Sequence, residues 1–295
     1  MLNSFKVVSG NKILDYRLGE NLDLGKIELF FSKNYYVKKL WNGGRHVLGI
    51  LTKNSETYFL KLSTSEGISV ITKNEYNWND YFNKYFPSGF LYNVPKNYDS
   101  GFYKKKYFYL ITEFFDGELL SFHLTDYISQ VIELAELIQK MPYEEGDYRK
   151  RFIDKVNLWF ADVPVGIRKK YKLELLLEIV EKGVGELIGY PRHGDFAPWH
   201  ILNLREGRLG LIDGEHAKPN SVENYDICYF IQRVFSVLKN PLIAQDIYSR
   251  LLMRGYKKDK LKVVLAARAI GGFLDESLAA KPNYKFANNF KDWVI

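Results

Sequence analysis

The sequence predicts an α+β chain of two lobes, a small β-rich N-terminal lobe over 1–115 and a larger helical lobe over 116–295. Three patterns carry this prediction. Strand signals dominate the first third, helical periodicity dominates the region beyond Gly117, and a short hairpin lies among those helices near 201–212.

In the N-terminal part, 47–52 and 57–63 are β-prone runs joined by Lys53-Asn54-Ser55-Glu56, which has the polar composition of a hairpin turn. Just before them, Asn42-Gly43-Gly44 supplies backbone freedom where a strand can bend over a ligand, although a plain turn accounts for the pair equally well. Trp78, Tyr81, Phe82 and Tyr85 recur at i, i+3, i+4, i+7 and predict a helix from about Ile71 that also carries Glu75. The run 107–112 consists of β-formers, as in a strand covered on both faces, and it ends in Glu113-Phe114-Phe115-Asp116-Gly117.

Beyond Gly117 the period changes. Ile128, Val131, Ile132 and Ala135 share one face, and Thr125 or Asp126 is the N-cap of a helix reaching about Lys140. Helices are expected over 148–160 and 171–182, the second weakened by Gly183 and Gly185. The apolar runs 201–204 and 209–212 flank Arg205-Glu206-Gly207-Arg208 as a hairpin, and 225–239, 242–254 and 258–280 read as helices.

A chain of 295 residues buries on the order of 75% of its unfolded surface, enough for a deep cleft. With 46% hydrophobic and 26% charged residues it reads as globular. The first twenty residues contain no long apolar run, so neither a signal peptide nor an anchor is expected. The apolar stretch 175–180 is interrupted at Glu178, so no transmembrane segment is expected either. The single cysteine, Cys228, forms no internal disulfide, and together these features predict a soluble cytoplasmic protein. The net charge of +7 is spread over short basic groups at 104–106, 149–151, 168–170 and 257–262, without one stripe. Nucleic acid is therefore not the expected partner, whereas a phosphorylated ligand such as a nucleotide accounts for part of the excess.

Candidate chemistry concentrates in 192–217. Asp195 lies in His193-Gly194-Asp195, and Asp213 follows the apolar run 209–212. Either alone reads as a turn residue. Joined by a two-stranded ribbon, they can be aimed at one point, one carboxylate taking a proton and the other holding a metal, as phosphoryl transfer requires. Mg²⁺ prefers oxygen ligands, and the imidazole of His200 suits Zn, Fe or Ni better. Asn203, three residues farther along a strand, points away from the side that His200 occupies. His193, His200 and His216 with Asp195 and Asp213 also compose a zinc-hydrolase set. Lys61 is a charge inside an apolar strand, either snorkelling to solvent or reserved for an anion, with Glu75 on the next helix as its natural partner.

These residues resemble the aminoglycoside phosphotransferase and choline kinase superfamily, whose signature is His-Gly-Asp, four residues, Asn, and Ile-Asp-x-Glu beyond a short hairpin. Here His193-Gly194-Asp195 and Ile212-Asp213-Gly214-Glu215 match, His200 replaces the Asn, and Gly214 stands where many members have Trp. The resemblance spans about 43–230 and implies a protein-kinase-like fold of two lobes with ATP or GTP between them. It implies Mg²⁺, or Mn²⁺, and transfer of the γ-phosphate to a small-molecule hydroxyl acceptor, a sugar, an amino alcohol or an aminoglycoside-like compound. Under it Asp195 is the catalytic base, Asp213 and His200 hold metal, and Lys61 with Glu75 positions phosphates. Gly43 and Gly44 lie over the nucleotide, and Glu113 and Phe114 meet its base through backbone groups. His193 braces the loop by hydrogen bonds, and Asp226 supports it from the start of the next helix. The alternative, motivated by His200 and Gly214, is a catalytically silent kinase-like protein that binds nucleotide or a partner. Asp275 and Glu276 read as a site for a cationic acceptor or as a solvated helix face.

Overall fold

Period-two patterning builds the first layer. The computed structural model describes residues 2–86 and 91–295. It opens with a hairpin of β1 (Lys6–Ser9) and β2 (Lys12–Asp15), followed by α1 (Leu24–Phe31). Strands β3 (Tyr36–Asn42), β4 (His46–Lys53) and β5 (Glu56–Ser63) lead into α2 (Glu66–Tyr85). After β6 (Tyr92–Asn93) come β7 (Asn97–Tyr103) and β8 (Tyr107–Glu113). A five-stranded antiparallel sheet forms in the order β3-β4-β5-β8-β7. The expected β4–β5 hairpin is present, and Asn54 and Ser55 take φ of 52° and 66°, the mirror-image turn that matches strand twist.

Alternation along β5 decides what each face does. Tyr58, Leu60 and Leu62 join Ile27 and Phe31 of α1 in one apolar cluster, so Lys61 and Ser63 point to the opposite face, towards α2. On α2, Thr72 and Glu75 are three residues apart and share the face that meets them: Ser63 Oγ donates to Thr72 Oγ1 at 2.9 Å and Lys61 Nζ to Glu75 Oε2 at 2.6 Å. The helix begins earlier than its aromatic period suggests, because Ser65 caps it by accepting from Ile68 N–H at 3.3 Å.

The chain continues through β9 (Glu118–Leu119), α3 (Ile128–Gln139), α4 (Tyr148–Asp162), α5 (Val165–Tyr171) and α6 (Glu174–Gly183). The helix expected over 171–182 is α6, which starts only at Glu174 because Lys172 turns left-handed at φ 51° and ends a preceding helix, α5, that the sequence did not predict. Next come β10 (Gly189–Arg192), β11 (Ile201–Asn203), β12 (Leu209–Leu211) and β13 (Lys218–Val222). The last helices are α7 (Tyr225–Gln232), α8 (Pro241–Met253), α9 (Lys258–Ser277) and α10 (Lys285–Val294). α7 runs into a π turn over Arg233–Val237. The larger apolar core lies among these helices, with α9 buried from Val263 to Leu274. The embedded hairpin β11–β12 joins β6 and β9 in one small sheet, while β10 pairs with β13. No helix among the described residues is long and apolar enough to cross a membrane.

Candidate active site

The loop between β10 and β11 carries Asp195, and its shape is fixed at both ends. Asp226, in the first turn of α7, accepts from the backbone N–H groups of His193 and Gly194, each at 2.8 Å. Ile212 N–H donates to His200 O at 2.9 Å, tying the far end of the loop to the end of β12. Gly194 takes φ +87°, and a Cβ there would lie 2.2 Å from His216 O, so only glycine fits. The expectation for His193 needs correction. Its ring nitrogens are buried and make no hydrogen bond among the described residues. The ring packs instead as an aromatic, 5.7 Å from Trp78 and 6.4 Å from Phe196, and burial pushes its pKa down to about 4. Bracing comes from its main chain.

Asp213 is held at φ 68°, in the left-handed region, immediately after β12. This conformation, uncommon for a residue with a side chain, places its carboxylate between Lys61 and His200. Lys61 Nζ lies 2.5 Å from Asp213 Oδ1, 2.6 Å from Glu75 Oε2 and 2.7 Å from Glu215 Oε1. Burial opposes the Lys61 ammonium, but Asp213, Glu215 and Glu75 together raise its pKa well above the ordinary lysine value. For Asp213, burial raises the carboxyl, while Lys61 and then His200 outweigh it and hold it well below the usual range. Glu75 goes the other way, lifted by burial to about 7 against the pull of Lys61.

His200 stands between the two aspartates. Its Nδ1 is 2.8 Å from the carbonyl oxygen of Asp195, which only accepts, so Nδ1 carries a proton. Nε2 then faces Asp213 Oδ2 at 3.2 Å. A neutral ring would set a lone pair against a carboxylate there, and the opposition is relieved by a proton on Nε2 or by a shared cation. Asp195, His200 and Asp213 can each offer an atom within 4.8 Å of the others, and Glu75, Asp213 and Glu215 form a second such group. The donor set fits a divalent cation that tolerates nitrogen, such as Mn²⁺, better than one that demands oxygen alone. Asn203 ends β11, paired with Glu118 and Leu209, and is not part of this group.

Asp195 is also gripped from α7. Tyr229 Oη donates to Asp195 Oδ1, Arg233 Nη2 donates to Tyr229 Oη at 2.7 Å, and Arg233 Nη1 to Asp275 Oδ2 at 2.7 Å. Burial raises the Asp195 carboxyl, but the nearby His200 and His216 and the Tyr229 hydrogen bond bring it below its usual value. Its carboxylate is therefore unprotonated near neutral pH.

Other residues complete the site without a readable sequence signal for their role. Glu215, almost wholly buried, pairs with Arg45 at 3.0 Å and His46 at 3.2 Å as well as with Lys61. Asn74 on α2 donates to the carbonyls of Glu215 at 2.9 Å and Ala217 at 3.0 Å, clamping the segment after Asp213. Only the motif position of Glu215 hinted at any of this. Gly43 and Gly44 lie in the β3–β4 turn directly before Arg45, where Gly44 N–H donates to Asn42 Oδ1 at 2.9 Å. Glu113 closes β8 at the opposite end of β5, its register partner being Tyr58, and Phe114 follows it. Neither residue joins the group around Asp195 and Asp213. Gly214 leaves room for Trp78, since a Cβ there would lie 2.2 Å from its Cδ1.

Neither a family model nor a curated protein matches the chain by sequence. Solved structures do match in fold. Aminoglycoside phosphotransferase APH(4)-Ia aligns over 92% of this chain and 98% of its own, with TM-score 0.67 and 14% identity. The choline kinase LicA from Streptococcus pneumoniae aligns over 92% and 96%, with TM-score 0.60 and 15% identity. Spectinomycin phosphotransferase APH(9)-Ia, solved with ADP and spectinomycin, aligns over 93% and 95%, with TM-score 0.59 and 11% identity. The fold is that of the aminoglycoside phosphotransferases and choline kinase. A thermostable mutant of APH(4)-Ia is known in a ternary complex with ADP and hygromycin B.

Proposed function

We propose that this chain moves the γ-phosphate of ATP or GTP onto the hydroxyl of a small molecule. The observation that carries the reading is the convergence of Asp195 and Asp213, 18 positions apart by residue number, with Lys61 bound to Asp213 and Glu75. In this reading the Asp195 carboxylate orients the acceptor hydroxyl and takes its proton as the new O–P bond forms. The bond from the γ-phosphorus to the bridging oxygen breaks, and its electron pair leaves with the nucleoside diphosphate. Lys61, fixed by Glu75 and Glu215, meets the phosphates, and Gly43 and Gly44 lie above them. Glu113 and Phe114 face the base through their main chain. Asp213 and His200 would hold the cation, Mg²⁺ or Mn²⁺, which supplies charge neutralisation on the phosphates. The nucleotide complexes of fold neighbours support the choice of donor.

The decisive experiment supplies γ-labelled ATP with Mn²⁺ and a panel of hydroxyl compounds, and reads transfer of label to an acceptor. A second reading, a silent nucleotide-binding protein, is favoured by the approach of His200 to Asp213. It predicts nucleotide binding with no label transferred to any compound.

A further inference from the structure

The β4–β5 hairpin sets residues in order along the cleft. Glu113, on the side proposed for the nucleotide base, is the register partner of Tyr58 near one end of β5. Lys61 follows farther along, and Ser63, paired with His46, closes the other end. At about 3.3 Å per residue, Tyr58 to Ser63 covers on the order of 17 Å. Arg45 lies just beyond that end, between the Gly43-Gly44 turn and His46. The base side, Lys61 and Arg45 therefore succeed one another, with Arg45 farthest from the base.

The main chain of Arg45 is fixed, because its carbonyl oxygen accepts from Thr64 N–H at 3.2 Å and from Thr64 Oγ1 at 2.6 Å. A Cβ on Gly44 would meet nothing within 4 Å, so the turn before it is open on that side. Arg45 Nη1 lies 3.0 Å from Glu215 Oε2, and Lys61 Nζ lies 2.7 Å from Oε1 of the same carboxylate. Two cations thus flank one buried acid, and Lys61 also touches Asp213. Glu215 keeps Lys61 and His46 as partners when the guanidinium turns away. Arg45 is also the accessible cation of the two, its side chain 34% exposed against 10% for Lys61. Burial opposes its charge, but Glu215, Asp213 and, more weakly, Asp195 outweigh that effect, so both catalytic aspartates belong to its electrostatic surroundings.

We propose that Arg45 leaves Glu215 to bind the terminal phosphate of the donor nucleotide, while Lys61 meets the phosphates nearer the base. This rests on the phosphotransferase reading and adds to it the residue that tells a nucleoside triphosphate from a diphosphate. A guanidinium presents paired N–H donors that match phosphate oxygens. Placed there, it neutralises charge on the γ-phosphoryl oxygens during transfer.

The test is calorimetric titration of the full chain with ADP and with AMP-PNP, each with Mn²⁺, in the wild type, Arg45→Gln and Arg45→Lys. ATP consumption is followed alongside with a panel of hydroxyl compounds. Arg45→Gln should weaken AMP-PNP at least about tenfold and ADP less than about twofold. Arg45→Lys, a point charge without the fork, should lose less. Turnover in Arg45→Gln should fall at least about hundredfold. On the wild type, an arginine-selective dicarbonyl should modify Arg45 more slowly with AMP-PNP than with ADP, as read by peptide mass spectrometry. That comparison stands even where a variant does not fold. An unchanged preference for AMP-PNP over ADP in Arg45→Gln, equal protection by both nucleotides, or no binding of either to the wild type would overturn the inference. Wild-type rates of ATP consumption by Arg45→Gln would also overturn it and leave the phosphotransferase reading intact. A preference that depends on Arg45, with no ATP consumed by the wild type on any compound, would instead defeat that reading and keep the phosphate contact.

Discussion

At the scale of single residues, the site depends on where four carboxylates find their counter-charges. Asp213, Glu75 and Glu215 converge on Lys61, whereas Asp195 is held by a phenol and approached by His200. Asp195 is thus the carboxylate of the four without a lysine or arginine partner, which suits the role of base proposed for it. Asp195→Asn should lower turnover at least about hundredfold and leave nucleotide affinity unchanged, as read by steady-state kinetics and calorimetry. Tyr229→Phe tests the tuning of this base. The Tyr229 hydrogen bond is one of the influences that outweigh burial and hold the carboxyl down. Its loss should therefore raise that pKa and move the acid limb of the kcat/KM profile to higher pH. An unmoved limb would remove Asp195 from the role of base. The meeting of Asp195, Asp213, Lys61 and Glu75 was legible because His193-Gly194-Asp195 and Ile212-Asp213 flank a short hairpin, and because Lys61 is a charge inside an apolar strand with Glu75 on the next helix. Tyr229, Arg45 and Asn74 were not, since their partners lie far along the chain and their types are ordinary for their elements.

At the scale of elements, α2 organises the site. Its Thr72 and Glu75 face β5, Asn74 clamps the segment after Asp213, and Trp78 fills the space above Gly214. The aromatic period of this helix was readable, and so were the β4–β5 and β11–β12 hairpins. Its first turn was not, because Glu66, Gly67 and Ser69 carry no apolar period. The break at Lys172 was also hidden, since lysine gives no sign of a left-handed backbone. Gly214→Ala should destabilise the fold by about 1–3 kcal/mol, as overpacking against Trp78 does. Combined with Trp78→Leu, its effect should be less than additive in denaturant melts. Additive losses would show that Gly214 and Trp78 are not packed together.

At the scale of the whole molecule, the N-terminal residues bind the strand-rich and helical parts to one another. Asn3 and Ser4 donate to Asp162 on α4, β2 packs against α2 through Gly67, and the Tyr16 ring lies 5.6 Å from that of His216. None of this was visible in the sequence, because strands of four residues are too short to show a period and the partners lie far along the chain. Asp162→Ala should cost about 1 kcal/mol of stability and raise hydrogen exchange at the N-terminus. Burial acts to raise the Asp162 carboxyl, but the Ser4 and Asn3 hydrogen bonds hold it below its unfolded value. Its contribution is therefore present above the unfolded pKa and lost as pH falls through the folded one. Wild-type and variant melting curves should converge in acid, and a gap that persists there would contradict the contact.

Placing the donor nucleotide between these parts is the central claim, and His200 is the residue on which it turns. The most direct measurement titrates ATP with Mg²⁺ and then Mn²⁺ into the wild type and His200→Asn, with ATP consumption followed in parallel. Binding and consumption are expected, stronger with Mn²⁺ in the wild type and shifted towards Mg²⁺ in the variant as an oxygen ligand replaces nitrogen. Absence of nucleotide binding in both proteins with both metals would contradict it.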